Sequence, residues 1–307
     1  MISSFFSQAK PIHFVVVSVL LLVVFVVLKT TTLTEAFTVQ LFFEQSFLFG
    51  VCLASLFVLD FFVSKNNLTK KNSYKILMFG LFVAVLPETI GDSKLLIANF
   101  FILLALRRII SLRSRKEIKK KLFDAAFWIS LATLLFFWAS LFYILIFMAL
   151  LLFSIADVKD WIIPFAGILC VAIIAASYMI VTGVDFEPYL DGFFDFSFDF
   201  TPLNSKHIIM STTIMLSYGA WASFYYMKNI KHQLKSYRPS FFLVIISSLI
   251  ALLIILLAPQ KNGSEFVFLL APLAIMMANY LEIISERWFK EGLILVLIIV
   301  SVVNLML

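Results

Sequence analysis

Two carboxylates stand near the beginning of the second apolar segment, where a general base could act on a substrate at a membrane surface. Glu44 lies within FFEQSF, and Glu35 precedes it by about two and a half helical turns. Charged side chains at the edge of an apolar span are costly to keep and are candidates for function. A carboxylate within hydrogen-bond reach of a hydroxyl group can accept its proton. Glu35 and Glu44 are therefore the candidate catalytic residues.

Two lysines could supply the positive charge that such chemistry needs when the substrate carries a phosphate. Lys94 follows LPETIGDS, and Lys261 lies in APQKNGSEF, which also contains Glu265. An ammonium group binds phosphate as a point charge, without the bidentate geometry of arginine. We expect Lys94 and Lys261 to bind a lipid phosphate and to share an outward-facing pocket with the two glutamates. The alternative interpretation is unrelated surface charge.

An acidic, aromatic stretch, VDFEPYLDGFFDFSFDFTPLN, runs from Val184 to Asn204 and contains no lysine or arginine. Near its end, phenylalanines alternate with polar residues at the spacing of an extended chain. One interpretation is an aromatic belt at the membrane interface with solvated acids. The functional interpretation is a lid over the outward-facing pocket. The lid residues are Phe194, Phe196, Phe198 and Phe200.

The sequence lacks the motifs that typically bind metals, nucleotides or nucleic acids. His13, His207 and His232 fall at different predicted depths, and the chain contains no HExxH or CxxC motif. It also has no Walker loop and no GxGxxG motif. Cys52 and Cys170 lie in apolar segments, which argues against a disulfide framework. We expect no metal, no cofactor and no nucleic-acid partner.

These candidate residues must be held by helices that cross a membrane. The 307 residues are 63% hydrophobic and 14% charged, whereas soluble domains average about 25% charged residues. Repeated apolar runs of roughly 18–22 residues are long enough for the ~30 Å hydrocarbon core. We expect an all-α, polytopic transmembrane helix bundle of about 11 spans, with residues 1–307 in a single integral membrane domain. The predicted spans fall near 11–28, 42–63, 74–90, 94–112, 122–138, 141–156, 162–183, 207–227, 239–258, 265–283 and 292–307.

The distribution of lysine and arginine predicts the orientation of these spans. With the N-terminus in the cytoplasm, the inner segments hold 20 of the 24 basic residues, as the positive-inside rule requires. The outer segments hold only Lys29, Lys94, Lys206 and Lys261. We therefore expect a cytoplasmic N-terminus and an extracytoplasmic C-terminus. The inner segments are 1–10, 64–75, 107–121, 157–161, 228–238 and 284–291.

The region 122–156 could form one long helix or two short ones. One helix would invert every later segment and would place the basic loop KNIKHQLKSYR outside. A tight hairpin at Ala139–Leu141 preserves the charge distribution. We expect Trp138–Phe142 to form a tight outer turn between two antiparallel helices.

Several residues predict where helices begin and end. Pro87 is expected to stop a helix, and Asp92 or Ser93 can cap the helix that follows. Asp124 is expected to open a helix just after the basic loop, where the helix dipole favours a carboxylate.

Six stretches carry a family resemblance: MISSFFSQAKPIHFVVV, KNNLTKKNSY, LLIANFFILLALRRIISL, LLFFWASLFYILIF, DVKDWIIPFAG and APQKNGSEFVFLLAPLAIMMANYLE. With them the chain resembles an uncharacterised family of multi-spanning bacterial envelope proteins that has no assigned activity. The resemblance covers nearly the whole chain. It implies a topology and an envelope setting, and it implies no chemistry.

A carboxylate in the first outer loop and the segment KNGSEFVFLLAPLA, which enters a late span, are similar to C-type polyprenyl-phosphate-dependent glycosyltransferases. The similarity implies that Glu35 or Glu44 is catalytic and that the donor is linked to a polyprenyl phosphate. The chain departs from that family in three respects. Its first outer loop is short and lacks paired acids, its predicted outer segments contain no arginine, and it has no soluble outer domain.

Three functions follow from these observations. The chain is interpreted as an inner-membrane protein of envelope biogenesis with undetermined activity, and a step on a lipid-linked sugar is its most specific hypothesis. Its partners would be membrane lipids and a polyprenyl-phosphate-linked donor. The alternatives are a non-catalytic assembly or scaffold subunit that docks an envelope protein, and a transporter or flippase. An outer pocket in which the candidate charges converge would favour the enzyme.

Overall fold

The computed structural model describes residues 2–32, 38–155, 157–183 and 193–306, which form α-helices and 3₁₀ turns and contain no strand. The helices are α1 (Ile2–Phe6), α2 (Pro11–Thr32), α3 (Val39–Lys65), α4 (Tyr74–Val85), α5 (Ser93–Ile110), α6 (Ile118–Leu135), α7 (Tyr143–Leu152), α8 (Val158–Thr182), α9 (Lys206–Ile230), α10 (Arg238–Leu257), α11 (Val267–Ile283) and α12 (Arg287–Met306). The 3₁₀ turns are Pro87–Ile90, Ser111–Ser114, Phe137–Phe142, Thr201–Leu203 and Ser264–Phe266. The predicted all-α class is confirmed for these residues.

Seven helices in the described ranges are long and apolar enough to cross a membrane, so the chain is a multi-pass membrane protein. They are α2, α3, α5, α8, α10, α11 and α12, some with an adjoining 3₁₀ turn. Each of the eleven segments predicted from the sequence contains a helix. However, α4 has only 12 residues, about 18 Å of helix, and α6 contains four charged residues in its sequence IKKKLFDAAFWISLATLL. Eleven separate spans therefore stay a prediction.

The core of the bundle lies around α4 and α11. Every residue of α4 is buried, and so is every residue of α11 from Val267 to Leu281. Helix α11 packs against α4, α5, α9 and α10, while α2 and α12 pack on other faces of α4. In contrast, α8 is peripheral and packs mainly against α6. The loops and turns at the ends of α4 and α11 are thus held by the best-buried part of the molecule.

The segments predicted to lie in the cytoplasm meet at one end of the bundle, which we call the inner end. The contacts are Ser73 N to Phe6 O at 3.0 Å, Lys70 N to Glu282 Oε1 at 2.8 Å, and Arg115 Nη2 to Phe153 O at 3.1 Å. These bonds join loops that are far apart in the sequence. Which side of a membrane this end faces stays a prediction.

The segments predicted to lie outside meet at the opposite end, which we call the outer end. The contacts are Lys29 Nζ to Gly91 O at 3.1 Å, Trp138 Nε1 to Asp195 O at 2.9 Å, and Asn304 Nδ2 to Val85 O at 2.6 Å. The described candidate residues Glu44, Lys94 and Lys261 belong to segments at this end.

The break between α4 and α5 follows the prediction. Helix α4 ends at Val85, and Leu86 leaves helical geometry with φ −131° and ψ 79°, because a residue before proline is disfavoured in the α region. Asp92 caps α5, since its Oδ1 accepts from Lys94 N at 2.7 Å and Leu95 N at 3.0 Å. The stop at Pro87 and the Asp92 cap are confirmed.

The predicted hairpin is partly corrected. Two helices do form, but the chain breaks at Phe136 (φ −151°, ψ 109°) and not at Ala139–Leu141. Residues Phe137–Phe142 form a 3₁₀ turn that runs directly into α7, so a tight turn over Trp138–Phe142 was a wrong prediction. A 3₁₀ turn rises about 2 Å per residue and extends the reach of this short segment. Ser130 and Tyr143, on opposite sides of the break, share a hydrogen bond of 2.6 Å, as expected for antiparallel neighbours.

The helix that contains Asp124 also begins earlier than predicted. Helix α6 starts at Ile118 and includes the lysines of the basic loop, so Asp124 lies in its second turn. The carboxylate forms an ion pair with Arg108 at 2.8 Å. A partner on α5, and not the end of the helix dipole, therefore accounts for this acid.

Candidate functional site at the outer end

Glu44, the predicted catalytic carboxylate that the structure describes, does not lie in an enclosed site. Glu35 lies outside the described residues. Glu44 is exposed on α3, and no hydrogen bond or ion pair to another described residue satisfies its carboxylate. Together with Asp92, it acts electrostatically on the ammonium group of Lys29. Glu44 thus interacts electrostatically with Lys29. The sequence did not predict this pairing.

Lys94 is exposed at the beginning of α5. Its backbone N–H donates to the Asp92 cap, and its ammonium group has no partner in the described part of the chain. A lysine in this position is free to move in the solvent or headgroup region. Nothing here holds it against a phosphate.

Lys261 has the opposite environment, because it is only 2% exposed. Its ammonium donates to three carbonyl oxygens: Ser197 at 2.6 Å, Leu256 at 3.0 Å and Ala258 at 2.8 Å. A lysine has three donors, so all of them are used. Burial lowers the pKa of Lys261, and the carboxylates of Glu265 and Asp199 partly oppose that shift. Lys261 thus ties the end of α10 to the acidic loop and has no donor left for a phosphate.

The predicted lid residues Phe194, Phe196, Phe198 and Phe200 form a row, which we call the phenylalanine row. Its backbone is held by neighbouring residues, while its side chains remain largely exposed. Residues 195–200 form neither helix nor strand. Phe194 packs edge-on against Phe137 with ring centroids 4.7 Å apart, and the Lys261 ammonium lies 4.9 Å from the Phe200 centroid. Phe196 and Phe198 contact each other and are 61% and 63% exposed. The row covers the 3₁₀ turn before α7 and the loop before α11.

The predicted pocket of Glu44, Lys94 and Lys261 is therefore not formed by direct contact. No hydrogen bond or ion pair connects any two of these residues within the described ranges. Lys261 is occupied by carbonyl groups, and the other two side chains are exposed. Different residues assemble at the outer end.

Two short 3₁₀ turns pack together where α4 and α11 begin or end. They are Pro87–Ile90, the Glu88 turn, and Ser264–Phe266, the Glu265 turn. Gly263 has φ +93°, and a Cβ there would lie 3.0 Å from Glu88 Cβ. Only glycine gives this backbone conformation without strain and leaves room for the neighbouring turn. The close approach of the two turns thus depends on Gly263.

Each turn presents a carboxylate that is only partly satisfied. Glu265 is fully buried, and its Oε2 accepts from Gly263 N at 3.0 Å. Glu88 Oε1 accepts from His207 Nε2 at 3.0 Å. The second oxygens, Glu265 Oε1 and Glu88 Oε2, are buried without a partner among the described residues. Buried polar atoms are usually paired, so both oxygens indicate a site for a proton or a ligand.

The Glu88–His207 pair lines a cavity of about 280 Å³ at the outer end, which we call the outer crevice. Its polar lining is completed by Thr31 and Asn304, and its remaining lining is Val27, Leu28, Pro87 and Leu305. The crevice lies between the ends of α2, α9 and α12 and the Glu88 turn. Polar groups at one side of an apolar wall are typical of a site for a small or amphiphilic ligand.

Asn304 lines the crevice and donates a hydrogen bond to a backbone carbonyl that the end of α4 leaves free. The carbonyl of Val85 would accept from Thr89 N in a continuous helix, but Thr89 N donates to Leu86 O at 3.1 Å. Asn304 Nδ2 donates to the freed Val85 carbonyl at 2.6 Å and also to Ser211 Oγ. Its own Oδ1 is buried without a described partner. The amide oxygen is thus a further acceptor for a ligand.

A carboxylate that contacts a histidine can move a proton. Glu88 accepts a hydrogen bond from His207 Nε2 and orients the ring, so the other nitrogen, Nδ1, could accept a proton from a hydroxyl group. His207 is 42% exposed at its side chain and Glu88 is 22% exposed, so the pair is accessible from outside. Glu265 lies behind it in the core. The arrangement supports acid–base chemistry, and no group of three or more metal-ligating side chains occurs in the described residues.

Sequence reasoning identified both loops of this site but not its residues. The sequence predicts the helix break at Pro87, and it places the three histidines at different depths without relating His207 to this break. No spacing rule predicts that positions 88, 207 and 304 meet, because they belong to three separate parts of the chain. The available signal was the proline after α4, which frees a carbonyl and creates a turn.

The comparisons with known proteins give a family and no activity. The model of DUF6427, a family of unknown function, matches residues 9–306. No curated protein and no solved structure matches the chain.

Proposed function

The chain belongs to DUF6427, a family of unknown function, and from its own geometry we propose that it performs an acid–base step on a lipid-linked substrate at the outer face of the bacterial inner membrane. The reaction class is transfer of a sugar from its lipid carrier to a hydroxyl group. The observation that carries the proposal is the Glu88–His207 pair, 3.0 Å apart, in a crevice with apolar walls at the outer end.

The orientation is part of this proposal. The chain crosses the membrane eleven times, with its N-terminus in the cytoplasm and its C-terminus outside. The basic residues support this orientation, since 20 of 24 belong to the inner-end segments. The bonds at the inner end support the same order, since each joins an inner segment to another inner segment or to the adjacent end of a predicted span.

Each residue of the outer crevice has a separate role in this proposal. His207 accepts the proton of the acceptor's hydroxyl group as that oxygen bonds to the anomeric carbon of the sugar, and the lipid phosphate leaves with the electrons of the bond that breaks. Glu88 accepts the hydrogen bond of the imidazolium that forms. Asn304 fixes the polar part of the substrate through its unpaired Oδ1. Val27, Leu28 and Leu305 contact the lipid chain. Glu44, which the sequence suggested as a base, is retained only as a separate candidate because it lies outside the crevice.

The experiment compares lipid-linked species in cells that carry the wild-type chain or a variant. Glu88→Gln and His207→Gln remove the carboxylate and the base with little change in size. We expect both variants to accumulate the same lipid-linked precursor at unchanged protein level, as measured by mass spectrometry of membrane extracts. Asp195→Asn is the matched control, because Asp195 is an exposed outer acid with no described side-chain partner. Identical lipid profiles in all strains would exclude the enzymatic proposal.

A second function, docking of an envelope protein, is favoured by the phenylalanine row. Phe194, Phe196 and Phe198 are each more than half exposed although Trp138 and Lys261 fix the adjacent backbone. A fixed aromatic surface can serve as the anchor of an interface. A photo-crosslinker at position 196 should then capture one specific envelope protein. Crosslinks to lipid alone would favour the membrane-belt interpretation.

A further inference from the structure

A second amphipathic feature lies on the other side of α2 from the outer crevice. The residues of α2 that line the crevice are Val27, Leu28 and Thr31. Leu22, Phe25, Val26 and Lys29 follow helical spacing and face instead a groove of about 370 Å³ between α2 and α3. We call it the α2–α3 groove.

The wall of the α2–α3 groove is apolar and open to the surroundings of the bundle. Phe25 and Phe49 meet across it with ring centroids 5.5 Å apart. Leu22, Val26 and Phe42 line it and are 43%, 49% and 54% exposed. The apolar residues of α2 continue one to two turns from Lys29 toward the middle of the helix, a length that suits part of an acyl chain.

The outer end of the groove is polar and incompletely satisfied. Lys29 donates to Gly91 O at 3.1 Å, and no second acceptor for its ammonium occurs among the described residues. Since an ammonium has three donors, two are left for a ligand. Gln45 also lines the groove, and its Oε1 is buried with no described partner. Both groups indicate a polar ligand at this end.

The charges at this end have both signs. Asp92 follows Gly91, whose carbonyl accepts from Lys29. Glu44 precedes Gln45, which lines the groove although Glu44 does not. Both carboxylates therefore lie near Lys29 and act on it electrostatically. Asp92 is engaged in capping α5, whereas Glu44 is exposed and unpaired in the described part of the chain. A purely anionic headgroup would be attracted by Lys29 and repelled by the two acids. A zwitterion with a phosphate and an ammonium group matches both.

We propose that the α2–α3 groove binds a zwitterionic phospholipid with a primary ammonium headgroup, with its phosphate on Lys29, its ammonium on Glu44 and one acyl chain along Phe25 and Phe49. The site belongs to the outer leaflet in the proposed orientation. It does not require the chemistry of the outer crevice.

The test uses the purified full chain in nanodiscs with equal amounts of phosphatidylethanolamine, phosphatidylglycerol and phosphatidylcholine. Lipid that remains bound after release into detergent is measured by native mass spectrometry. We expect the wild type to retain phosphatidylethanolamine at least tenfold over the other two. Retention of phosphatidylglycerol in preference, or of no lipid, would overturn the proposal.

Two variants separate the charges. Lys29→Gln should lower retention of phosphatidylethanolamine about tenfold, the value of one good ionic contact, while Lys29→Arg should keep it. Glu44→Gln should shift the preference toward phosphatidylglycerol, because it removes the negative partner of the ammonium. Unchanged selectivity in Glu44→Gln would contradict the assigned headgroup. Lys206→Gln and Asp195→Asn are the matched controls, since both residues are exposed at the outer end and line neither the groove nor the crevice.

Two further arms test the acyl chain. Val26→Trp fills the groove without changing its charges, and we expect it to lose the lipid while the chain stays monodisperse. Soluble phosphoethanolamine presents the same headgroup without a chain and should not displace the bound lipid at equal concentration. Displacement by the soluble compound would show a headgroup site alone and would overturn the groove assignment.

Discussion

At the scale of single residues, Gly263 allows the Glu88 turn and the Glu265 turn to pack closely. Gly263→Ala places a Cβ 3.0 Å from Glu88 Cβ at φ +93°, so we expect a loss of about 1–3 kcal/mol in the free energy of unfolding. Thermal unfolding in detergent measures it. Gly50→Ala is the matched control, because a Cβ there meets nothing within 4 Å, and it should be neutral or stabilising by about 0.5–1 kcal/mol. Equal effects of both substitutions would refute the role of Gly263.

Lys261 is the second residue whose role can be tested directly. Lys261→Met leaves the Leu256 and Ala258 carbonyls without their donor, which costs about 1–3 kcal/mol for buried groups. It also releases Ser197. We expect a lower melting temperature and faster hydrogen exchange over 195–200. Lys206 is an exposed lysine, so Lys206→Met should change neither quantity. If 195–200 stayed protected from exchange in both variants, Lys261 would not be what holds this segment to the end of α10.

At the scale of helices, the contact between α6 and α8 depends on Gly167. A Cβ at this position would lie 2.9 Å from both Ala126 Cβ and Phe123 O, so helix backbones approach closely there, as small residues allow in membranes. Gly167→Ala should separate the helices and cost about 1–3 kcal/mol by overpacking. Hydrogen exchange of α8 and thermal unfolding measure the effect. Gly292→Ala, with open space around its Cβ, should be neutral or stabilising by about 0.5–1 kcal/mol, like Gly50→Ala. A stable, protected α8 in Gly167→Ala would disprove the close contact.

The elements were more predictable from the sequence than the site. Apolar runs located a helix in each of the eleven segments, and Pro87 and Asp92 marked a helix end and a helix start. Local chemistry sets these features. The meeting of Glu88 with His207 depends instead on how α9 packs near the Glu88 turn, and the burial of Lys261 depends on three separate carbonyl groups. Such long-range contacts leave no periodic signal in one sequence.

At the scale of the whole molecule, the order of inner-end and outer-end segments leads to a prediction of topology. A reporter that is active only outside the cytoplasm should be active when fused after Leu307, and one that requires the cytoplasm should be active at the N-terminus. The physical reason is the retention of lysine and arginine on the cytoplasmic side. A C-terminal fusion active only in the cytoplasm would contradict the proposed orientation, and if the N-terminal fusion were active there as well, it would also contradict eleven crossings.

The whole bundle also explains why the outer end carries the candidate chemistry. The buried helices α4 and α11 each adjoin a 3₁₀ turn there, and the two turns bring Glu88 and Glu265 together around one glycine. The rigid core fixes the carboxylates, while the ends of α2, α9 and α12 form the walls of the crevice. A site built on such elements is held more precisely than one on loops.

The most direct test is the rate of sugar transfer by the purified chain in proteoliposomes that contain a polyprenyl-phosphate-linked sugar and an acceptor with a free hydroxyl group. We predict transfer by the wild type, a fall of about 10²–10⁴-fold in Glu88→Gln and His207→Gln, as expected when general acid–base catalysis is lost, and a normal rate in Asp195→Asn. Equal rates in the wild type and in both crevice variants, or no transfer by a folded wild type, would contradict the account.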